Sequence, residues 1–192
     1  DVNEPFRGWK LTSFEGGLRV PLFMKWPAKL TAGAKIETPV AHIDVMPTIV
    51  AAAQTSIPES IEIDGKNLLP LVSSSEQTVA PNTLEQWSRD TLFWVGDHSQ
   101  VVRHKNWKLQ LNTRLSDGPQ TWLYDLSSDP TERNNLAMDR PKKVAKLKSL
   151  LDQYNASSRP PLFPATVQIP IMVDKTLMRK FKKGDEYVYT PN

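Results

Sequence analysis

Apolar residues run almost unbroken through Leu18-Arg-Val-Pro-Leu-Phe-Met-Lys-Trp26, a β-prone stretch entered through Gly16-Gly17. The pattern predicts a strand buried on both faces, which needs neighbours to either side. Further on, Asp44 stands as an N-cap before Met46, Ile49, Val50 and Ala53, which share one helical face. Pro47 falls in the first turn of that helix, where its missing N–H costs little. Strand, connection and helix in this order fit an α/β layer. One strand and one helix cannot close a core, so the pattern predicts that the rest of the sheet comes from elsewhere.

From Thr55 to about Asn82 the composition shifts to Ser, Pro, Glu and isolated apolar residues, with Asp64-Gly65 as a turn and Leu68-Leu69-Pro70-Leu71 as a short anchored segment. A domain boundary is expected here, dividing residues 1–75 from 76–192. Four short β-prone runs follow, at 91–95, 100–104, 107–111 and 121–125, separated by turn-sized stretches such as Ser116-Asp-Gly-Pro119. They predict an antiparallel meander. Asp139 and Pro141 then open an amphipathic helix over 140–156, with Val144, Leu147, Leu151 and Tyr154 on one face and Lys142, Lys143, Lys146 and Lys148 largely off it. That helix should cover one face of the meander. The tail, 158–192, is rich in Pro and charge and is assigned no secondary structure.

Composition narrows the function classes. In 192 residues, 39% hydrophobic and 23% charged is a globular balance, and no run approaches the roughly 18 apolar residues of a membrane span. Cysteine is absent, which removes disulfides, thiolate metal sites and a cysteine nucleophile. The formal charge of +3 is too small to argue for nucleic acid. Sixteen prolines imply short elements and structured loops.

The candidate chemistry lies in Arg7-Gly-Trp-Lys-Leu-Thr-Ser-Phe-Glu-Gly-Gly-Leu-Arg-Val-Pro21. This is a loop before a buried strand, whose glycines let backbone approach closely and whose Arg7 and Lys10 read as unopposed cations. Lys10 could hold a sulfate or phosphate oxygen and stabilise charge on a leaving oxygen, or be an ordinary solvated lysine. Glu15, between the cationic loop and two glycines, reads as an anchor of the turn rather than a catalyst. His42 beside Asp44 reads as structural, preceding a helix cap. Trp94, Trp107 and Trp122, in expected strands, read as core.

Gly8-x-Lys10, Glu15-Gly-Gly-x-Arg-Val-Pro21 and Trp26-Pro27 resemble the stretch of type I sulfatases that ends the sheet of their catalytic domain. Pro39-Val-x-His-Ile-Asp-Val-Met-Pro-Thr48, Val102-Arg-x-x-x-Trp-Lys108 and Leu123-Tyr-Asp-Leu-x-x-Asp-Pro-x-Glu-x-Asn-Asn-Leu-Ala137 are similar to later segments of the same family, in order and correctly spaced. The resemblance implies an alkaline-phosphatase-like α/β fold, with residues 1–75 ending the catalytic sheet and 76–192 forming a small C-terminal subdomain. It implies hydrolysis of sulfate esters by a formylglycine beside a calcium ion. The nucleophile motif and metal cluster match nothing in this sequence, so both cofactors are expected in an upstream catalytic half. That half would be the principal partner. Lys10 falls on the family lysine that contacts the sulfate and the ester oxygen. His98 falls where the small subdomain leans over the active-site mouth, a candidate substrate contact beside the plainer reading of a loop histidine. The resemblance also implies a secreted, periplasmic or lysosomal parent.

Two other readings stay open. A phosphomonoester or phosphonate hydrolase of the same superfamily would use lysine and metal on phosphate. A non-catalytic module for anionic polymers would use Lys142-Lys143-x-x-Lys146-x-Lys148 and Arg179-Lys-x-Lys-Lys183. The chain taken alone, with an unpartnered strand at 18–26, is expected to self-associate.

Overall fold

The structure is a computed structural model and describes residues 3–73, 87, 89–96, 98–114, 118–160, 162–163, 168–176, 179–180 and 182–191. Four strands form one antiparallel meander in chain order, β1 (Thr91–Val95), β2 (Ser99–His104), β3 (Trp107–Arg114) and β4 (Gly118–Asp125). The alternation in the sequence fixes what each face carries. Phe93, Val102, Leu109, Leu111 and Leu123 line one face and pack against Val144, Leu147, Leu150 and Leu151 of the long helix α4 (Pro141–Ser157). Phe93 stacks on Tyr154, with ring centroids 4.4 Å apart. This is the expected sheet with one covering helix. The helix opens with Pro141 at its first position, and no side chain caps it. The expected turn at 116–119 falls largely outside the described residues.

The opposite face is built differently. Lys108, Gln110 and Asn112 alternate along β3 and are all buried, beside Trp122 and Tyr124 of β4. Phe14 from the N-terminal loop packs edge-on against Trp122, centroids 5.8 Å apart, and Ile171, Val173 and Val188 complete the cluster. Ile171 and Val188 belong to a second antiparallel pair, β5 (Gln168–Met172) and β6 (Tyr187–Pro191), which Val173 directly follows in the chain after β5, in the tail that had no expected structure.

The chain divides into two compact units, residues 1–21 with 90–192, and residues 22–89. The break expected near residue 75 is not where the units part, because Arg7, Phe14 and Glu15 are buried within the first unit. The strand expected at 18–26 does not form. Glu15–Leu18 is a single helical turn (α1), and Val20 and Phe23 beyond it are 75% and 88% exposed. Among the described residues no strand lies alongside to bury them.

In the second unit a 3-10 turn, His42–Asp44, runs into α2 (Val45–Ala52). The expected cap is real in position but not in chemistry. The Asp44 carboxylate, fully buried, accepts from the N–H groups of Ala41 and Lys66 at 2.8 Å each and from both terminal nitrogens of Arg89. It thus ties three segments together and leaves His42 exposed. The helix also buries another face than the apolar stripe predicts. Pro47 and Thr48 are buried, while Met46 and Ile49 are 46% and 62% exposed. Thr48 accepts from the Leu68 N–H at 2.9 Å, and Leu68, Leu71 of α3 (Leu69–Val72) and Trp87 form the small core. The apolar stripe of α2 has no cover within its own unit.

Candidate functional site

Residues 3–19 form a folded-back loop with Lys10 at its tip. The Thr12 N–H donates to the Trp9 carbonyl at 2.9 Å, closing a turn with Lys10 and Leu11 at its centre. Leu11 takes φ +83°, the left-handed value that the third position of a type II turn demands. A leucine there costs roughly 1–2 kcal/mol of backbone strain. The base of the loop is closed by Gly16 N–H on the Arg7 carbonyl at 2.7 Å. A Cβ on Gly16 would sit 2.3 Å from the Gly8 carbonyl oxygen, and one on Gly17 2.0 Å from that of Thr12. The two glycines therefore permit the fold-back, as the sequence pattern suggested.

The cations of the loop meet contrasting fates. Arg7 is not unopposed. It is buried over the Phe14 ring, 4.7 Å from its centroid, and donates to Asp174 at 2.9 and 3.0 Å and to Glu186. Burial alone would lower its pKa, but hydrogen bonds and charge from Asp174 and Glu186 outweigh this and hold it above the usual arginine value. Beside it, burial pushes the Tyr124 hydroxyl well above the ordinary tyrosine range. Lys10 is exposed, and among the described residues no ion pair or hydrogen bond engages it.

Glu15 anchors the far arm of the loop, and its partner is a lysine. Lys108, fully buried near the start of β3, lies 2.9 Å from a carboxylate oxygen of Glu15 and 2.9 Å from one of Glu132. The other Glu132 oxygen accepts the Glu15 backbone N–H at 2.5 Å. One cation thus faces two carboxylates. Burial pushes the Glu132 carboxyl above the usual carboxylate range, with Lys108 opposing.

His98 is buried, 8% exposed, and its Nε2 has no protein partner among the described residues. Its carbonyl accepts from Thr113 N–H at 2.8 Å and from the Asn112 side chain at 2.9 Å. The adjacent Ser99 hydroxyl lies 2.9 Å from that of Ser13, so the Lys10 loop and the start of β2 touch one residue away from His98. The lysines of α4 have local partners in part. Lys143 lies over Trp107, 4.6 Å from the ring centroid, and Lys148 pairs with Asp152. Among the described residues no group of three His, Asp or Glu side chains is disposed to hold a metal ion.

Residues 8–158 match the family described as N-sulphoglucosamine sulphohydrolase, C-terminal. Human steryl-sulfatase is 30% identical over an alignment of 157 residues that covers 70% of this chain and 27% of that protein. The N-acetylgalactosamine-6-O-sulfatase of Bacteroides thetaiotaomicron is 30% identical over an alignment of 152 residues that covers 77% of this chain and 29% of that one. Among solved structures, a sulfatase from a Bacteroides thetaiotaomicron locus for glycosaminoglycan metabolism superposes with a TM-score of 0.61 at 26% identity, over 79% of this chain and 32% of that chain. The chain spans less than a third of the length of these two curated relatives. The four-stranded meander with its helix is the C-terminal subdomain architecture of these enzymes. The loop motif, the meander and a family match over residues 8–158 agree, and the chain belongs to the sulfatase family, of which it carries the C-terminal portion.

Proposed function

We propose that this chain completes a sulfate-ester hydrolase, presenting Lys10 to the sulfate and the ester oxygen while an upstream catalytic half supplies formylglycine and calcium. The observation that carries this reading is the loop. Its buried cation, Arg7, is neutralised by carboxylates and its exposed Arg19 lies over the Phe6 ring, whereas Lys10 stands exposed at a strained, firmly based turn with no ion pair or hydrogen bond among the described residues. A point charge free of internal partners suits an oxyanion that gains charge as the ester bond breaks. The hydrolysis itself needs a nucleophile, and the family's nucleophile motif matches no part of this sequence. His98 is the second candidate contact, supported by its buried Nε2, which has no partner among the described residues, and by its place beside the Ser13–Ser99 link. The parent is proposed to act in a secreted, periplasmic or lysosomal setting. Among the described residues no helix is long and apolar enough to cross a membrane.

The test is release of sulfate from an aryl sulfate by the full-length enzyme, with an aryl phosphate as the competing substrate and the 192-residue chain alone as a control. Sulfate release by the full-length enzyme and none by the chain supports the reading. Preferential phosphate release would move it to the phosphohydrolase alternative, and activity in the chain alone would overturn the division of labour.

The exposed stripe of α2 and the unpaired apolar run at 20–24 are proposed to pack on that upstream half. Without it, exposed Phe23, Met46 and Ile49 favour contact between copies. The isolated chain is expected to self-associate in small-angle scattering across a concentration series, and a monodisperse monomer would count against this packing.

A further inference from the structure

The family match ends at residue 158, yet the structure beyond it reaches back to the loop that carries Lys10. Asp174 follows β5 and Glu186 precedes β6, and the Val173 N–H donates to the Glu186 carbonyl at 2.9 Å, extending the ladder between them. Both carboxylates converge on the Arg7 guanidinium. Glu186 is further fixed by the indole N–H of Trp122 at 2.6 Å, so it bridges the meander and the loop. One residue before Lys10, the Trp9 indole N–H donates to the Met172 carbonyl at 2.8 Å. The hairpin thus grips the loop at Arg7 and at Trp9, immediately on the N-terminal side of Lys10.

We propose that Asp174 and Glu186 are positioning residues for Lys10, acting through Arg7 as an ionic clamp from a hairpin that lies outside the family match. The inference rests on the reading of Lys10 as the sulfate-contacting residue. Its physical content is separable from that reading. An exposed lysine at the tip of a loop samples many positions, and a charge that must meet a developing oxyanion loses effect when displaced by about an ångström. The clamp restricts that sampling where Lys10 itself has no ion pair or hydrogen bond among the described residues to do so.

Hydrogen exchange on this chain tests the clamp directly. In a D174N/E186Q variant the amides of Thr12 and Gly16, which close the loop on the Trp9 and Arg7 carbonyls, are expected to exchange about three- to tenfold faster. The Leu109 amide, in β3 between β2 and β4, should keep its protection, which separates loosening of the loop from loss of the fold. An Asp185→Asn variant removes the Lys175–Asp185 pair of the same hairpin without touching Arg7, and should leave Thr12 and Gly16 unchanged. Unaltered exchange at both amides in D174N/E186Q overturns the clamp.

In the full-length enzyme the same variant should lower kcat by about three- to tenfold with KM changed less than about twofold. In a Lys10→Ala background it should cost nothing further, because residues acting through one group are not additive. Faster exchange with unchanged kcat overturns the positioning role. An undiminished kcat in Lys10→Ala alone overturns the reading of Lys10, and the positioning role with it, while the exchange data still report on the clamp.

Discussion

Replacing Lys10 by alanine in the full-length enzyme is expected to lower kcat for an aryl sulfate by about 10²–10³-fold, the usual loss when one preorganised oxyanion partner is removed. The melting temperature should not move, because Lys10 is exposed and, among the described residues, holds nothing in place. That combination separates a catalytic role from a structural one. KM should rise far less than kcat falls, since a charge meeting the ester oxygen is worth most as negative charge develops there. Lys10→Arg keeps the charge but presents a planar fork on a longer stem, and is expected to recover only part of the loss, about tenfold below wild type. Turnover in Lys10→Ala within about twofold of wild type would sink the assignment. The same proteins should be assayed from pH 6 to 9. A loss that is uniform across that range fits removal of a fixed charge, whereas a displaced pH optimum would mean that the residue exchanges protons instead.

Much of this architecture is legible in the chain because it is encoded locally. The meander follows from period-two alternation. Val102, Leu109 and Leu123 mark one face so clearly that the strands and the covering helix fall within a few residues of their expected ends. The Lys10 loop is legible from its glycines, whose missing Cβ atoms are what allow the fold-back. What the sequence hid depends on distant partners. Arg7 reads as unopposed because its counter-charges lie 167 and 179 residues further on. The hairpin that supplies them carries a period-two signal at Ile169, Ile171 and Val173, masked by Pro170 within the strand and by charge between the two arms. Lys108 is hidden for a related reason. A lysine in an alternating strand reads as the solvent face, and only Glu15 and Glu132 together turn it inward. The apolar stripe of α2 is legible as a surface to be covered, but the residues that would cover it are not among those of its own unit.

The largest stability effect expected anywhere in the chain is at that lysine. Lys108→Met keeps the volume of the stem but removes the charge between two carboxylates, and is expected to destabilise the fold by about 3–5 kcal/mol at pH 8, as breaking a buried pair from one side generally does. The loss arises less from the missing attraction than from two buried anions left facing each other. Urea unfolding followed by tryptophan fluorescence measures it as a lower midpoint at unchanged slope. The pH dependence identifies the source. Burial already raises the Glu132 carboxyl, and without Lys108 the main opposing influence is gone, so its folded-state pKa rises further. A carboxyl whose folded pKa exceeds its unfolded one binds more protons when folded. Its contribution to stability is therefore fully present below the unfolded value and lost as pH rises through the folded one. The deficit of Lys108→Met relative to wild type should accordingly be smaller near pH 5 than at pH 8. Adding Glu132→Gln should flatten that dependence, since the amide has no proton to lose. A deficit that is small at pH 8, or that grows as the pH falls, would mean that the two carboxylates are not held against each other in the folded chain.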